Sequence, residues 1–267
     1  MENILKKIIN KKKENLIKNK KELTITEILN NIKKQKNFFN FIDRIKKRNS
    51  ENKISVIAEI KKASPSAGLL VKNFDPLNIS KSYVDNGATC LSVVTEEKFF
   101  LGKLDYINKI KNFYEIPILA KDFFIDTYQI ALAKSFGADC ILIILSAIDS
   151  HLAKDLYQAS NDLNISTLVE VHSEREAETA LLFEKSIIGI NNRNLKTLEI
   201  SLDTSVKLAK ILTSHKNPII SESGFHSTDE IVFVTQNSDI KNFLIGESLL
   251  TSEDIGSKLK QFTQITL

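Results

Sequence analysis

Charged residues end a segment of the sequence that begins as if it belonged to a protein core. The stretch VIAEIKKASPSAGLL (56–70) opens on three apolar residues, then acquires Glu59 and Lys61 and breaks at Ser64-Pro65-Ser66. A single charged end is explained by the chain leaving the core for solvent. However, Glu59 and Lys61 are two residues apart, so in a strand both side chains leave on the same side and can face one pocket.

The same pattern recurs at the ends of most of the later apolar segments. In chain order, their polar ends are Thr95-Glu96-Glu97, Lys121-Asp122, Glu170, Asn191 with Arg193, Ser221-Glu222-Ser223-Gly224 and Gly246-Glu247-Ser248. In a shared pocket, opposite charges hold carboxylates and ammonium groups ionised, whereas burial raises carboxyl and lowers amine pKa values. Such groups can act as acids and bases near neutral pH, although the pattern leaves open which group gives and which takes the proton. We therefore predict one pocket that contains Glu59, Lys61, Lys121 and Glu170.

The elements that must position these groups are short apolar segments separated by helix-length stretches. The segments span residues 54–60, 89–94, 116–122, 138–145, 165–171, 186–192, 217–224 and 241–247. Near-continuous apolar strands are typical of a parallel sheet buried on both faces. Eight such units predict an α/β fold, a (β/α)₈ TIM barrel, whose active sites lie where the strands end. The alternative is an open doubly wound sheet, but no glycine-rich GxGxxG or Walker motif follows the first strand.

Two glycine-containing segment ends are candidates for anion binding. Ser223-Gly224 ends the seventh segment and Gly246 ends the eighth, each just before a predicted helix. Glycine lets backbone N–H groups approach a phosphate at a helix N-terminus, and barrels of this type often bind phosphate at their last two loops.

The first part of the chain has a different composition. Residues 1–48 contain 15 Lys and Arg against 5 Asp and Glu, whereas the whole chain has a net charge of +4. They are predicted to be helical throughout, and a capping box formed by Thr24 and Glu27 opens a second helix that carries Ile28 and continues through Phe38, Phe39 and Ile42. We expect residues 1–48 to be a helical extension packed on a barrel of residues 49–267, in a single domain.

The composition narrows the class of protein. The chain has 267 residues, 42% of them hydrophobic, and neither a long apolar run nor a signal peptide is recognised, so we expect a cytoplasmic protein without a membrane role. The basic extension favours an amphipathic helix with a solvated face over a nucleic-acid patch, because no nucleic-acid-binding motif accompanies it. Cys90 and Cys140 lie in apolar segments and are interpreted as small buried residues, not as a disulfide or metal ligands.

Seven motifs resemble the indole-3-glycerol phosphate synthase family of tryptophan biosynthesis. They are AEIKKASPSAG (58–68), LSVVTEEKFFLG (91–102), PILAKDFFID (117–126), LVEVHS (168–173), IGINNRNL (188–195), ISESGF (220–225) and LIGESLL (244–250). They occur in family order, and the helical segment before them is similar to the family's N-terminal extension. Ala67 departs from the pattern, since a basic residue is frequent in that mobile loop.

The resemblance implies an enzyme of amino-acid biosynthesis, a carboxy-lyase that needs neither cofactor nor metal. Its substrate would be a phosphorylated small molecule, 1-(2-carboxyphenylamino)-1-deoxyribulose 5-phosphate, which it closes to indole-3-glycerol phosphate with loss of CO₂ and water. It further implies that Lys121 is the principal general acid and that Lys61 holds the anthranilate carboxylate and acts as a second acid. Glu59 and Glu170 resemble the carboxylates of acid–base work and cation stabilisation. We expect a monomer, with no partner besides the substrate and no fused second domain.

Further positions are implied by the same resemblance. Asn191 and Ser223 would position the substrate hydroxyls, and Arg193 would orient the carboxylates. The other substrate-binding candidates are Ser64, Gly224, Gly246 and Glu247 at the phosphate, Phe100, Phe123 and Leu195 at the anthranilate ring, and Glu222. Packing of the barrel rim explains the three apolar side chains equally well.

Two other classes of protein fit parts of the pattern. One is a related phosphate-binding barrel, such as a sugar-phosphate isomerase or an aldolase that forms a Schiff base on Lys121, for which borohydride would trap the substrate. The other is a catalytically silent barrel that binds a partner through its basic, apolar N-terminal arm. The second class has no use for Glu59, Lys61, Lys121 and Glu170 together.

Overall fold

Eight parallel strands close into a barrel in the computed structural model, which describes residues 4–195 and 197–265. The strands are β1 (Ser55–Ile60), β2 (Cys90–Val94), β3 (Ile118–Lys121), β4 (Cys140–Ile144), β5 (Ser166–Val171), β6 (Ile187–Asn191), β7 (Ile219–Glu222) and β8 (Asn242–Ile245). Each strand pairs with the next along the chain, and β8 pairs with β1 to complete the ring. Each lies within one of the eight predicted segments, so the predicted barrel is confirmed and the open sheet is wrong.

The barrel strands are buried on both faces, which explains their near-continuous apolar sequences. Every residue of β1, β2, β4 and β8 is buried. One face of each strand fills the barrel interior and the other packs under the surrounding helices. Cys90 and Cys140 are fully buried free thiols, as predicted.

Helices surround the barrel and precede it. They are α1 (Ile4–Glu22), α2 (Ile25–Lys34), α3 (Phe41–Ser50), α4 (Pro76–Asp85), α5 (Asp105–Lys111), α6 (Thr127–Ser135), α7 (Ser150–Asp162), α8 (Glu174–Ala180), α9 (Asp203–Ile211), α10 (Thr228–Ser238), α11 (Glu247–Leu250) and α12 (Ile255–Thr263). A short hairpin pairs Ala63–Ser64 with Gly68–Leu69 directly after β1. Within the described ranges, no helix is both long enough and apolar enough to cross a membrane.

Residues 4–50 contain three helices, so the prediction of helix throughout residues 1–48 is wrong at one place, and its first three residues lie outside the described part of the chain. The capping box of Thr24 and Glu27 is confirmed and opens α2. This helix ends at Lys34, however, and does not continue through Ile42. A new helix, α3, begins at Phe41.

Phe38 and Phe39 lie in the connection between α2 and α3, where they cover two lysines of the barrel helices. The ring of Phe38 lies 4.3 Å from Lys134 Nζ, and that of Phe39 lies 4.2 Å from Lys111 Nζ. Because aromatic faces attract cations, these contacts stabilise the connection against the barrel helices. The backbone N–H of Phe39 also donates to the buried carboxylate of Asp139.

The first two helices pack on the barrel. Ile28 of α2 is fully buried against Tyr128 and Ala131 of α6. On α1, Lys12 Nζ lies 2.6 Å from the carboxylate of Asp122. Lys20 Nζ of the same helix lies 2.8 Å from the carboxylate of Asp126. The basic arm is therefore attached to acidic residues that follow β3.

Candidate active site

A cavity of about 370 Å³ opens at the carboxyl ends of the barrel strands. All fifteen predicted site residues line it: Glu59, Lys61, Ser64, Phe100, Lys121, Phe123, Glu170, Asn191, Arg193, Leu195, Glu222, Ser223, Gly224, Gly246 and Glu247. They come from strands and loops that are far apart in sequence. The face at which strands end is where barrels of this type build their active sites.

Lys121 is the central cation of the cavity floor. It is the last residue of β3, and its Nζ lies 2.6 Å from Glu222 Oε2 and 3.2 Å from Glu170 Oε2. Both carboxylates are almost completely buried at the ends of β7 and β5. Lys121 is thus held between two acids, of which only Glu170 was predicted as an acid–base group.

Glu59 and Lys61 form a second ion pair beside this cluster. Lys61 Nζ lies 2.5 Å from Glu59 Oε1, and both residues line the cavity, as their spacing of two predicts. Gly246 provides the space for Glu59, since a Cβ atom at Gly246 would come within 2.6 Å of Glu59 Oε1. Gly189 of β6 does the same for Glu222, whose Oε1 occupies the position of the missing side chain.

Attraction and burial compete in setting the pKa values of the cluster. Burial lowers the pKa of Lys121, but Glu222, Glu170 and Glu59 together outweigh burial and raise it above its usual value. Burial raises the pKa of Glu170 and of Glu59, yet the cations beside them leave both pKa values lowered. Lys121 therefore stays protonated and both carboxylates stay ionised at neutral pH.

Glu222 behaves differently from the other carboxylates. Its pKa is raised to about 7. Burial is the largest cause, and repulsion by Glu170 and Glu59 raises the pKa further, whereas the attraction of Lys121 lowers it only in part. Its Oε1 has no hydrogen-bond partner. Glu222 consequently changes its protonation state near neutral pH, directly beside Lys121.

Asn191 and Ser223 form a polar pair at the next edge of the cavity. Ser223 Oγ donates a 2.9 Å hydrogen bond to Asn191 Oδ1, which also accepts from the backbone N–H of Arg193. Ser223 adopts a left-handed backbone conformation with φ of 69°. The guanidinium of Arg193 lies 3.6 Å from the carboxylate of Glu247.

The two glycine-containing ends are only partly placed as predicted. Gly246 lies directly before α11, as expected. Gly224 does not lie just before a helix, because α10 begins at Thr228 and its first turn is capped by Ser227. Both glycines nevertheless line the cavity. In the hairpin that follows β1, the strand next to β8, Ser64 Oγ accepts a hydrogen bond from the N–H of Ala67.

The apolar side of the cavity includes residues that the sequence patterns did not identify. The rings of Phe100 and Phe123 lie 6.2 Å apart. Ile4, Leu5 and Ile8 of α1 also line the cavity. The N-terminal extension therefore supplies part of the cavity wall.

Comparisons with known proteins identify the family of the chain. The family model of indole-3-glycerol phosphate synthase matches residues 5–262. The chain belongs to this family. Proteins named indole-3-glycerol phosphate synthase from Laribacter hongkongensis and Bordetella pertussis are 35% and 38% identical to it over 259 residues, covering 97% of the chain and 98% of each relative. One from Roseiflexus castenholzii is 41% identical over 215 residues, or 78% of this chain and 80% of its own.

Solved structures of low identity share the barrel fold. The 3-hexulose-6-phosphate synthase from Salmonella typhimurium has a TM-score of 0.64 at 13% identity and matches 79% of this chain and 97% of its own. The tryptophan synthase alpha chain from Legionella pneumophila has a TM-score of 0.62 at 13% identity and matches 85% and 97%. At such identities the likeness concerns the fold alone.

Family membership defines the reaction. The chain is a carboxy-lyase of tryptophan biosynthesis that closes a phosphorylated substrate, 1-(2-carboxyphenylamino)-1-deoxyribulose 5-phosphate, to indole-3-glycerol phosphate. The ring closure is accompanied by decarboxylation and dehydration.

Four residues around the cluster were given no role by the sequence patterns. His172 lies behind Glu170 and contacts Glu176 of α8. Asp122 accepts hydrogen bonds from Lys12 and from Thr95 Oγ1. Glu96 accepts from the backbone N–H groups of residues 98–100, which holds the loop that carries Phe100. The signal available for Glu176 was its position three residues after Ser173, the residue that caps α8.

Proposed function

We propose that Lys121 is the general acid of ring closure and that Glu170 and Glu59 stabilise the developing cation. The observation that carries this proposal is the ammonium group of Lys121, held between Glu170 and Glu222 on the cavity floor. Ring closure needs an electrophilic ketone, and a proton donor at the ketone oxygen makes it so. The anthranilate carbon then attacks that ketone carbon, and positive charge develops in the ring. Nearby carboxylates lower the energy of this charge in a buried site.

Lys61 is proposed to hold the substrate carboxylate. Lys61 lines the cavity, and its ammonium group forms an ion pair with Glu59, with Nζ 2.5 Å from Oε1. Once the new carbon–carbon bond has formed, the carboxylate leaves as CO₂ and its bonding electrons restore the ring. A cation that holds the carboxylate out of the ring plane aligns the breaking bond with the π system.

Dehydration completes the reaction. The hydroxyl formed from the ketone leaves as water with a second proton, which Lys121 gives after it has been reprotonated from solvent, or which Lys61 gives in its place. Glu170 takes a proton from the neighbouring carbon, and the electrons of that C–H bond form the double bond of the indole. This assignment uses Glu170 as a base, for which it has to be ionised, and the cations beside it keep it ionised at neutral pH.

The remaining site residues are proposed to orient the substrate. Phe100, Phe123 and Leu195 would contact the anthranilate ring, and Ile4 and Ile8 of α1 would close the slot; all five line the cavity. In a second group, Asn191, Ser223 and Arg193 would bind hydroxyl and carboxylate oxygens, and the phosphate would lie at Ser64, Gly224, Gly246 and Glu247.

The substitution Glu170→Gln tests these roles. It keeps the size of the side chain and removes its basicity, so we expect kcat to fall by about 100-fold or more while KM changes little. Glu178→Gln is the matched control, since Glu178 is exposed on α8. Formation of indole-3-glycerol phosphate would be followed by fluorescence. Turnover by Glu170→Gln at the rate of the control would contradict the proposal.

We also propose that the protein is a cytoplasmic monomer with no nucleic-acid partner, in which residues 1–48 and 49–267 form a single domain. The ion pairs of Lys12 and Lys20 with barrel carboxylates support this, because two lysines of the basic arm bind acidic residues of the same chain. Light scattering coupled to size-exclusion chromatography should give a mass of 30.1 kDa. Twice that mass at micromolar concentration would contradict the monomer.

A further inference from the structure

His172 is a largely buried titratable residue to which the proposed chemistry gives no part. It follows the last residue of β5, two positions after Glu170, so both side chains leave the chain on the same side. Only 11% of its side chain is exposed. An imidazole in such a place needs polar partners, because burial without them is costly.

The two ring nitrogens of His172 each face a carboxylate. Nε2 lies 3.3 Å from Glu170 Oε1, and Nδ1 lies 3.4 Å from Glu176 Oε2. These contacts are longer than well-aligned hydrogen bonds, and we treat them as ion contacts. Glu176 also accepts a 2.8 Å hydrogen bond from the backbone N–H of His172. A residue of the first turn of α8 therefore fixes both the backbone and the ring of His172.

The four side chains form a row of alternating charge from α8 to the cavity floor. Glu176 contacts His172, His172 contacts Glu170 through Oε1, and the other oxygen of Glu170 contacts Lys121. Both oxygens of Glu170 thus have a cationic partner only while His172 is protonated. When Lys121 passes its proton to the substrate, His172 is the cation that remains next to Glu170.

We propose that His172, held by Glu176, is a positioning residue that fixes the carboxylate of Glu170 and keeps it ionised when Lys121 gives up its proton. This inference rests on the proposed role of Glu170 as the base. Without His172, Glu170 Oε1 would lose its cationic partner, and the carboxylate would more readily recapture the proton that Lys121 has to deliver. The expected cost is in kcat, because the contact matters after the substrate has bound.

The charges around the row support a protonated imidazole. Burial lowers the pKa of His172, but Glu170 and Glu176 outweigh burial and raise it to about 9. Facing Glu170 from the other strands are Lys121 of β3, Glu222 of β7 and Glu59 of β1, with the amide of Asn191 on β6. Of these only Lys121 is a cation, so His172 supplies the second positive charge.

The first test is a titration of the histidine rings by NMR in the wild-type protein. The chain has four histidines, and the signal of His172 is the one lost in His172→Gln. We expect it to titrate near pH 9 and to move down by about one unit in Glu176→Gln, whose amide oxygen still accepts the backbone hydrogen bond. A ring that titrates at or below about 6.5, the value of a free histidine, would overturn the inference.

The second test is the dependence of kcat on pH between about pH 6 and pH 10. We expect kcat to fall as His172 loses its proton, and His172→Gln to lack this alkaline limb, with kcat lowered about tenfold and KM within about twofold. Glu176→Gln should move the limb to lower pH. His151→Gln and Glu178→Gln change exposed residues and should match wild type.

The outcomes separate this inference from the proposed role of Glu170. An active Glu170→Gln protein contradicts the role of Glu170 itself. An inactive Glu170→Gln protein combined with wild-type kcat and an unchanged alkaline limb in His172→Gln contradicts only the inference about His172. If His172→Gln does not fold, Glu176→Gln decides the question by the same shift of the limb, and an unshifted limb overturns the inference.

Discussion

Lys121 Nζ lies closer to Glu222, at 2.6 Å, than to Glu170, at 3.2 Å. The residue next to the proposed general acid is thus a carboxyl group whose pKa is raised to about 7 by burial and by the repulsion of Glu170 and Glu59. When Glu222 is protonated, Lys121 is paired with one carboxylate fewer and is the stronger acid. When Glu222 ionises, it stabilises the ammonium form and makes proton donation harder.

The substitution Glu222→Gln should therefore change the pH profile of kcat/KM. In the wild-type protein we expect kcat/KM to decline as pH rises through about 7, because ionised Glu222 weakens Lys121 as an acid. The glutamine variant cannot ionise at this position and should lack that step, with Glu253→Gln on an exposed site as the control. A step near pH 7 that persists in Glu222→Gln would show that another group causes it.

Lys12 should affect substrate binding more than chemistry. Its ion pair with Asp122 attaches α1 to the residue next to Lys121, and α1 supplies Ile4, Leu5 and Ile8 to the cavity wall. We expect Lys12→Gln to raise KM by about threefold to tenfold and to leave kcat within about twofold. This is the pattern of a substitution that weakens the binding of substrate and of transition state equally. Steady-state kinetics would check this, with the neighbouring exposed Lys13→Gln as the matched control. A lowered kcat at unchanged KM would contradict this role for α1.

The opposite end of the barrel should contribute stability and not catalysis. Lys111 Nζ lies 2.7 Å from Asp139 Oδ2 with both side chains buried, and Asp139 also accepts the backbone N–H groups of Phe39 and Ile118. Asp139→Asn leaves a buried ammonium without its counter-ion, which costs about 3 to 5 kcal/mol.

Urea unfolding should show that loss for Asp139→Asn and none for the exposed Asp155→Asn. The kcat of the folded Asp139→Asn protein should equal that of wild type, since conservation of activity is expected for changes at the amino ends of barrel strands. Equal stability of the two variants would contradict the structural role of this ion pair.

The barrel and most of the site could be predicted because both leave local patterns in the sequence. Strands buried on two faces read as apolar runs, and polar residues at their ends mark the one face that is open. Glu59 and Lys61 even show by their spacing that they share a side. This is why all fifteen predicted site residues line the same cavity.

The features that were missed depend on contacts between distant segments. Phe38 and Phe39 look like a continuation of the apolar face of α2, but they cover Lys134 and Lys111, which are 96 and 72 residues away in sequence. The cap residue Asn40, which accepts a hydrogen bond from the N–H of Asp43, was the local signal that a new helix begins there.

The contacts between Lys121 and the carboxylates around it could not be predicted from the sequence either. Whether Glu222 faces Lys121 depends on the space left by Gly189, on a neighbouring strand. The raised pKa of Glu222 and the lowered pKa of Glu170 follow from which cations each one contacts, and residue types alone do not give that.

The measurement that tests the central claim most directly is turnover of the carboxyphenylamino deoxyribulose phosphate by wild type and by Lys121→Ala. The indole product fluoresces, and the chain contains no Trp to obscure it. We expect rapid signal growth for wild type and for the exposed-site control Lys154→Ala, and a kcat lowered by about 100-fold or more for Lys121→Ala. Undiminished turnover in Lys121→Ala, or no product from folded wild-type protein, would contradict the account.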